Sequence, residues 1–163
     1  MYEDRIQKAK DLFYEGYNCS QSVVAAFADL YGFTEEQALR MAASFGGGIG
    51  RMRMTCGAAC GLFMLIGLDC GSVIGADRAQ KVYNYKKVQE AAQAFREKTG
   101  SLICAELLQL RKAEKVTPQA EERTPDYYKK RPCVRMIETA ARLFVQYLAR
   151  KDEAENTAAG GIQ

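Results

Sequence analysis

Residues 45–71 read FGGGIGRMRMTCGAACGLFMLIGLDCG, and their second half decides the fold. The run CGAACGLFMLIGL, Cys56 to Leu68, is apolar almost all round. A helix without a polar face must be covered on every side, so this segment is expected to be the buried central helix, with Thr55 as its cap. Gly46, Gly47, Gly48 and Gly50 ahead of it force a loop, because glycine reaches positive φ and admits close approach of another backbone. Gly57 and Gly61 leave room on the helix for neighbours. The segment lacks both a preceding strand and a GK[ST] ending, which argues against a phosphate-binding or dinucleotide-binding loop. Arg51 and Arg53 are candidates for contact with an anion, a solvated surface being the alternative.

Outward from this segment the chain keeps helical periodicity. Ile6, Ala9 and Phe13 open a first helix that Gly16 ends. Asn18 caps a second, with Val23, Phe27, Leu30 and Tyr31 inward. Thr34 with Gln37 has the form of a capping box for a third helix reaching toward Phe45. Val82, Tyr85, Val88, Ala92 and Phe95 form one stripe of a long helix over residues 77–98. Ser101 is expected to cap LICAELLQLRK. Residues 116–132 hold all three prolines and read as a connector. A last helix is expected from Pro132 to about Arg150. No segment alternates with period two, so the expectation is an all-α, irregular bundle of six or seven helices around the central apolar one. Residues 1–152 read as a single domain, and 153–163 as a flexible C-terminal tail.

Composition narrows the chemistry. The 163 residues contain six cysteines and no histidine. That excludes a Ser-His-Asp triad, a Cys-His dyad and histidine-bearing zinc or haem sites. The net charge of +3 comes from interleaved Lys/Arg and Asp/Glu residues, without a basic stripe for nucleic acid. The longest apolar run, Leu62 to Leu68, is far short of the roughly 20 residues that span a bilayer, so no membrane insertion is expected. The N-terminus has no signal-peptide pattern, and a cytoplasmic location follows as the expectation. Six cysteines in a reducing compartment point to metal or redox chemistry.

Four of the cysteines share one feature of placement. Cys19 follows Asn18, Cys56 follows Thr55, Cys104 lies three residues beyond Ser101, and Cys133 follows Pro132. Each falls in the first turn of a different expected helix, where unpaired N–H groups and the helix dipole favour an anion and lower thiol pKa. Convergence of the four starts would build a thiolate site, with Cys56 the candidate nucleophile. The alternative is that each cysteine packs as a small apolar side chain. Cys60 and Cys70 read as auxiliary thiols or packing residues.

NCSQSV around Cys19, CGAACG from Cys56 to Gly61, LICAELL around Cys104 and RPCVRMIETAA around Cys133 resemble the C-GCAxxG-C-C family of redox-active proteins. The resemblance extends over roughly residues 5–150. Cys56, Gly57, Ala58 and Gly61 match its CGAxxG motif, Cys60 falls on a variable position, and Cys19, Cys104 and Cys133 match its other cysteines. Three functions remain open: the quartet binds a [2Fe-2S] cluster or another thiolate-bound metal for electron transfer or sensing; it cycles between thiols and disulfides; or the chain is a helical binding module with structural cysteines. The redox partner, the oligomeric state and whether the protein is an enzyme are left undetermined by the sequence.

Overall fold

The structure, a computed structural model, describes residues 2–111 and 115–160. Among them are eight α-helices and no strand: α1 Glu3–Tyr14, α2 Cys19–Ala25, α3 Glu35–Ala42, α4 Gly57–Cys70, α5 Arg78–Thr99, α6 Cys104–Leu107, α7 Pro125–Lys130 and α8 Cys133–Gly160. Two short 3-10 turns, Ala28–Tyr31 and Ala43–Phe45, follow α2 and α3. The all-α class and the irregular bundle stand, and the helix beyond the expected six or seven is α7. Its start is a local signal inside the proline-rich connector: Thr124 accepts the Tyr127 N–H, and Pro125 occupies the first turn, where its missing N–H costs nothing.

The apolar segment is central, as its composition requires. Helix α4 packs against α2, α5 and α8. Its Ala58, Ala59, Leu62, Leu65 and Ile66 are fully buried with Phe13, Val23, Phe27, Phe95, Ile137 and Phe144. Each large side chain so covered contributes about 1.5–3 kcal/mol relative to exposure. The approach of α2 to α4 depends on small residues: a Cβ at Gly61 would lie 2.9 Å from Val23 Cβ, and one at Gly57 would lie 3.3 Å from Cys19 Cβ. A second buried cluster, Leu12, Val24, Ala25, Ala38 and Ala42, joins α1, α2 and α3.

Two helix starts follow the sequence closely. Asn18 accepts the Gln21 N–H at 2.9 Å while Gln21 accepts the Asn18 N–H at 3.1 Å. Thr34 and Gln37 make the same reciprocal pair. Thr55 and Ser101, in contrast, do not cap. Thr55 forms an antiparallel bridge with Ile103, and Cys56 itself stands at the N-cap of α4. Ser101 accepts the Ile103 N–H and contacts Glu106, leaving Ile103 at the cap of α6. Helix α6 is a single turn, shorter than expected. In α5 the stripe is buried only toward its C-terminal end: Phe95 is covered, whereas Val82 and Tyr85 are exposed. The 22-residue α5 is longer than the 14-residue α4 it lies beside, and its first turns run past that support. Helix α8 continues to Gly160, beyond the expected end near Arg150; residues 161–163 of the expected tail lie outside the described residues. No helix among the described residues is long and apolar enough to cross a membrane.

Candidate functional site

The four helix starts converge. Cys19, Cys104 and Cys133 are the first residues of α2, α6 and α8, and Cys56 immediately precedes α4. All four line one cavity of about 400 Å³, although they span more than a hundred residues of chain. Cys60 and Cys70 do not line it. Cys60 is buried one turn into α4, with Sγ 3.9 Å from the Thr55 carbonyl oxygen. Cys70 is the last residue of α4, donates to the Ile66 carbonyl at 3.3 Å and accepts from Asn84 at 3.4 Å.

Backbone contacts hold the starts in register. Around the Thr55–Ile103 bridge, the Cys56 N–H donates to the Leu102 carbonyl at 2.7 Å and the Cys104 N–H to the Met54 carbonyl at 2.6 Å. The glycine loop packs directly on this pair. Gly48 has φ +73°, and a Cβ there would lie 2.6 Å from Cys104 Cβ and 2.8 Å from Arg53 Cα. Asn18, besides capping α2, donates to the Ala43 carbonyl at 2.9 Å and so ties Cys19 to the chain entering the loop.

The thiols are electrostatically unequal. Cys19 and Cys133 both line the cavity, and each is the largest influence on the other's proton. Donation from Cys19 is the largest influence lowering the Cys133 pKa to about 7. Burial opposes it, and the guanidinium groups of Arg131, Arg123 and Arg53 add to it. The same hydrogen bond, together with burial, pushes Cys19 well above the ordinary thiol range. Burial pushes Cys56 up to about 12, outweighing the N–H groups of Ala58 and Ala59. Burial also raises Cys104, against the nearby Arg53, whose Nη1 lies 3.8 Å from Sγ. Of the four thiols lining the cavity, Cys133 is the one whose pKa is lowered, while those of Cys19, Cys56 and Cys104 are raised. A helix start alone is worth only about 0.3–1 kcal/mol, and at Cys133 the influence of Cys19 comes first, with the arginines adding to it.

Those arginines come from two places. Arg51 and Arg53 project from the glycine loop into the cavity wall with side chains 21% and 16% exposed, sheltered rather than solvated. Arg123 and Arg131 flank α7, inside the proline-bearing connector of residues 116–132. Arg123 stacks over Phe13 and Tyr127, with its guanidinium carbon 4.6 and 4.7 Å from the ring centres, and donates to the Phe13 and Tyr17 carbonyls at the end of α1. The nearest sequence signal for this group was the triplet Arg131-Pro132-Cys133, which puts a cation two residues before a thiol. Glu121, also in the connector, pairs with Arg51, Arg53 and Arg131.

A family model described as "Putative redox-active protein (C_GCAxxG_C_C)" matches residues 17–147, a span that contains all six cysteines. No curated protein and no solved structure matches the chain.

Proposed function

The chain belongs to the C_GCAxxG_C_C family, and from that premise we propose that it works by thiol–disulfide chemistry, with Cys133 as the attacking thiolate and Cys19 as the resolving thiol. The observation that carries this reading is that Cys19 and Cys133 open two helices onto one cavity whose wall holds Arg53, Arg123 and Arg131, charges that lower the Cys133 pKa while burial helps Cys19 keep its proton. An attacking thiol is most effective when its pKa lies near ambient pH, and the resolving thiol must be within bonding reach of it. Cys133 attacks one sulfur of a substrate disulfide, the sulfur–sulfur bond breaks, and the leaving thiolate takes a proton. Cys19 then loses its proton and attacks the Cys133 sulfur, releasing the second substrate thiol and leaving a Cys19–Cys133 disulfide. Two electrons pass from the protein pair to the substrate.

The test is differential alkylation of the reduced protein, followed by peptide mapping after mild oxidation. Cys133 is expected to react first at pH 7, and oxidation is expected to join Cys19 to Cys133. Equal labelling of all six cysteines at pH 7, or a disulfide that excludes Cys133, would refute the assignment and favour a binding module with structural cysteines.

Four sulfurs around one cavity are also the donor set of a [2Fe-2S] cluster or another thiolate-bound metal. The arrangement as it stands does not fit that role, since among the described residues no three Cys, Asp or Glu side chains are grouped closely enough to share an ion. Anaerobic purification with iron and sulfide analysis separates the readings. Stoichiometric iron with labile sulfide, lost in Cys56→Ser as well as in Cys133→Ser, would replace the dithiol reading with the cluster.

A further inference from the structure

Thiol exchange alone does not require the three guanidinium groups gathered on one wall of the cavity. Arg51 and Arg53 adopt φ of +63° and +60°, a backbone region unfavourable to any residue with a Cβ, and from there both reach Glu121 at 3.7 Å. Arg131 contacts the same carboxylate from the turn before α8. Arg51 also donates to the Thr117 carbonyl at 3.1 Å, so the segment carrying Pro118, Ala120 and Glu121 is held across the cavity as one of its walls.

Three cations on one carboxylate leave an excess of positive charge in the wall of the cavity that Cys133 also lines. The arginine side chains are 21%, 16% and 15% exposed and Glu121 is 41% exposed, so the cations belong to the wall while the carboxylate is the outermost member. Guanidinium forks match planar carboxylates, and a strained backbone that aims side chains at one point is characteristic of a binding site. A volume of about 400 Å³ suits a small molecule rather than a folded partner.

We propose that this guanidinium wall anchors a small carboxylate-bearing disulfide, presenting its sulfur–sulfur bond to Cys133, and that Glu121 competes with the substrate for the same arginines. The inference rests on the thiol–disulfide reading and adds the substrate class to it. The electron balance is the one already given, with the substrate carboxylate held by Arg51, Arg53 and Arg131 as its two thiols leave.

The test uses the full-length reduced protein in single turnover at pH 7 with three disulfides of similar length and different charge: dithiodipropionate, bis(hydroxyethyl) disulfide and cystamine. Each rate of mixed-disulfide formation at Cys133 is divided by the rate of the same probe with free mercaptoethanol, which removes differences in intrinsic reactivity. The dianion is expected to exceed the neutral probe by about tenfold or more at low salt and the dication to fall below it, the preference shrinking as salt is added. Arg51→Gln should reduce the preference and Glu121→Gln should increase it, in proteins whose circular dichroism matches the parent. Equal normalised rates for all three probes, with labelling still at Cys133, would overturn the anchor while leaving thiol chemistry intact. A preference unchanged in both variants would overturn it too, and failure of every probe to label Cys133 would remove the anchor together with the thiol reading.

Discussion

At Cys133 two influences on one sulfur can be separated by substitution. The hydrogen bond from Cys19 is the larger and the arginines add to it, both acting against burial. Cys19→Ala is therefore expected to raise the midpoint of the Cys133 alkylation profile above about 7, by more than Arg131→Gln does. In the parent protein the rate rises with pH through that midpoint, because the reactive thiolate replaces the thiol as the proton is lost. A profile of pH against rate for the three proteins checks the order, and a larger shift in Arg131→Gln would show that charge, not the shared proton, dominates. At Cys56 the balance is reversed, since burial holds the proton on up to about 12. Cys56→Ser should leave the Cys133 midpoint within a few tenths of a unit of the parent. Both cysteines sit at helix starts, so their positions in the chain are equivalent; the solvent and cations around them are not.

At the scale of elements, the loop between α3 and α4 is the part least tolerant of change. Gly48 combines positive φ with backbone and side-chain atoms where a Cβ would go, so Gly48→Val should destabilise the protein by about 2 kcal/mol or more, read from chemical denaturation. Its effect on Cys133 reactivity should accompany the loss, because the displaced neighbours are Arg53 and Cys104. Asn18→Ala removes one cap and should cost about 1 kcal/mol. Which helix starts could be recognised depended on whether their chemistry was local. Asn18 with Gln21 and Thr34 with Gln37 bond within four residues, and sequence order alone reveals them. Thr55 and Ser101 have the same residue types, but the chain segments they meet, around Ile103 and Glu106, redirect them.

The whole molecule is clasped at the end opposite the glycine loop by Asp69, whose side chain is 4% exposed. It accepts from Tyr147, from Lys151 at 2.8 Å and from Tyr31 at 3.1 Å, joining α4 to α8 and to the turn after α2. Burial pushes its pKa up, yet Lys151, Tyr147 and Tyr31 outweigh burial, and the pKa lies below the ordinary value of 3.8. A depressed carboxylate contributes stability that is complete above its unfolded pKa and disappears as pH falls through its folded one. Stability should accordingly decline more steeply below pH 4 in the parent than in Asp69→Asn, which lacks this titration. Near neutral pH Asp69→Ala should cost about 1–3 kcal/mol, because it leaves two tyrosine hydroxyls without their acceptor. Residues 151–158 are exposed, so a chain ending at Asp152 should keep its melting temperature within a few degrees.

What the sequence by itself determined is whatever follows from periodicity, local capping and composition: an all-α chain, a central apolar helix from Cys56 onward, cysteines at four helix starts, and chemistry without imidazole. These are legible because each depends on residues within a turn or two of one another. Tertiary structure alone decided the surroundings that push the Cys133 pKa down and the Cys56 pKa up. Those surroundings depend on residues far apart in the chain: Cys19 and Cys133 brought to one cavity, Arg53 and Arg123 arriving from the glycine loop and the connector, and burial of Cys56. A thiol pKa is set by solvent and charge within several ångströms, and folding, not chain order, brings those charges near.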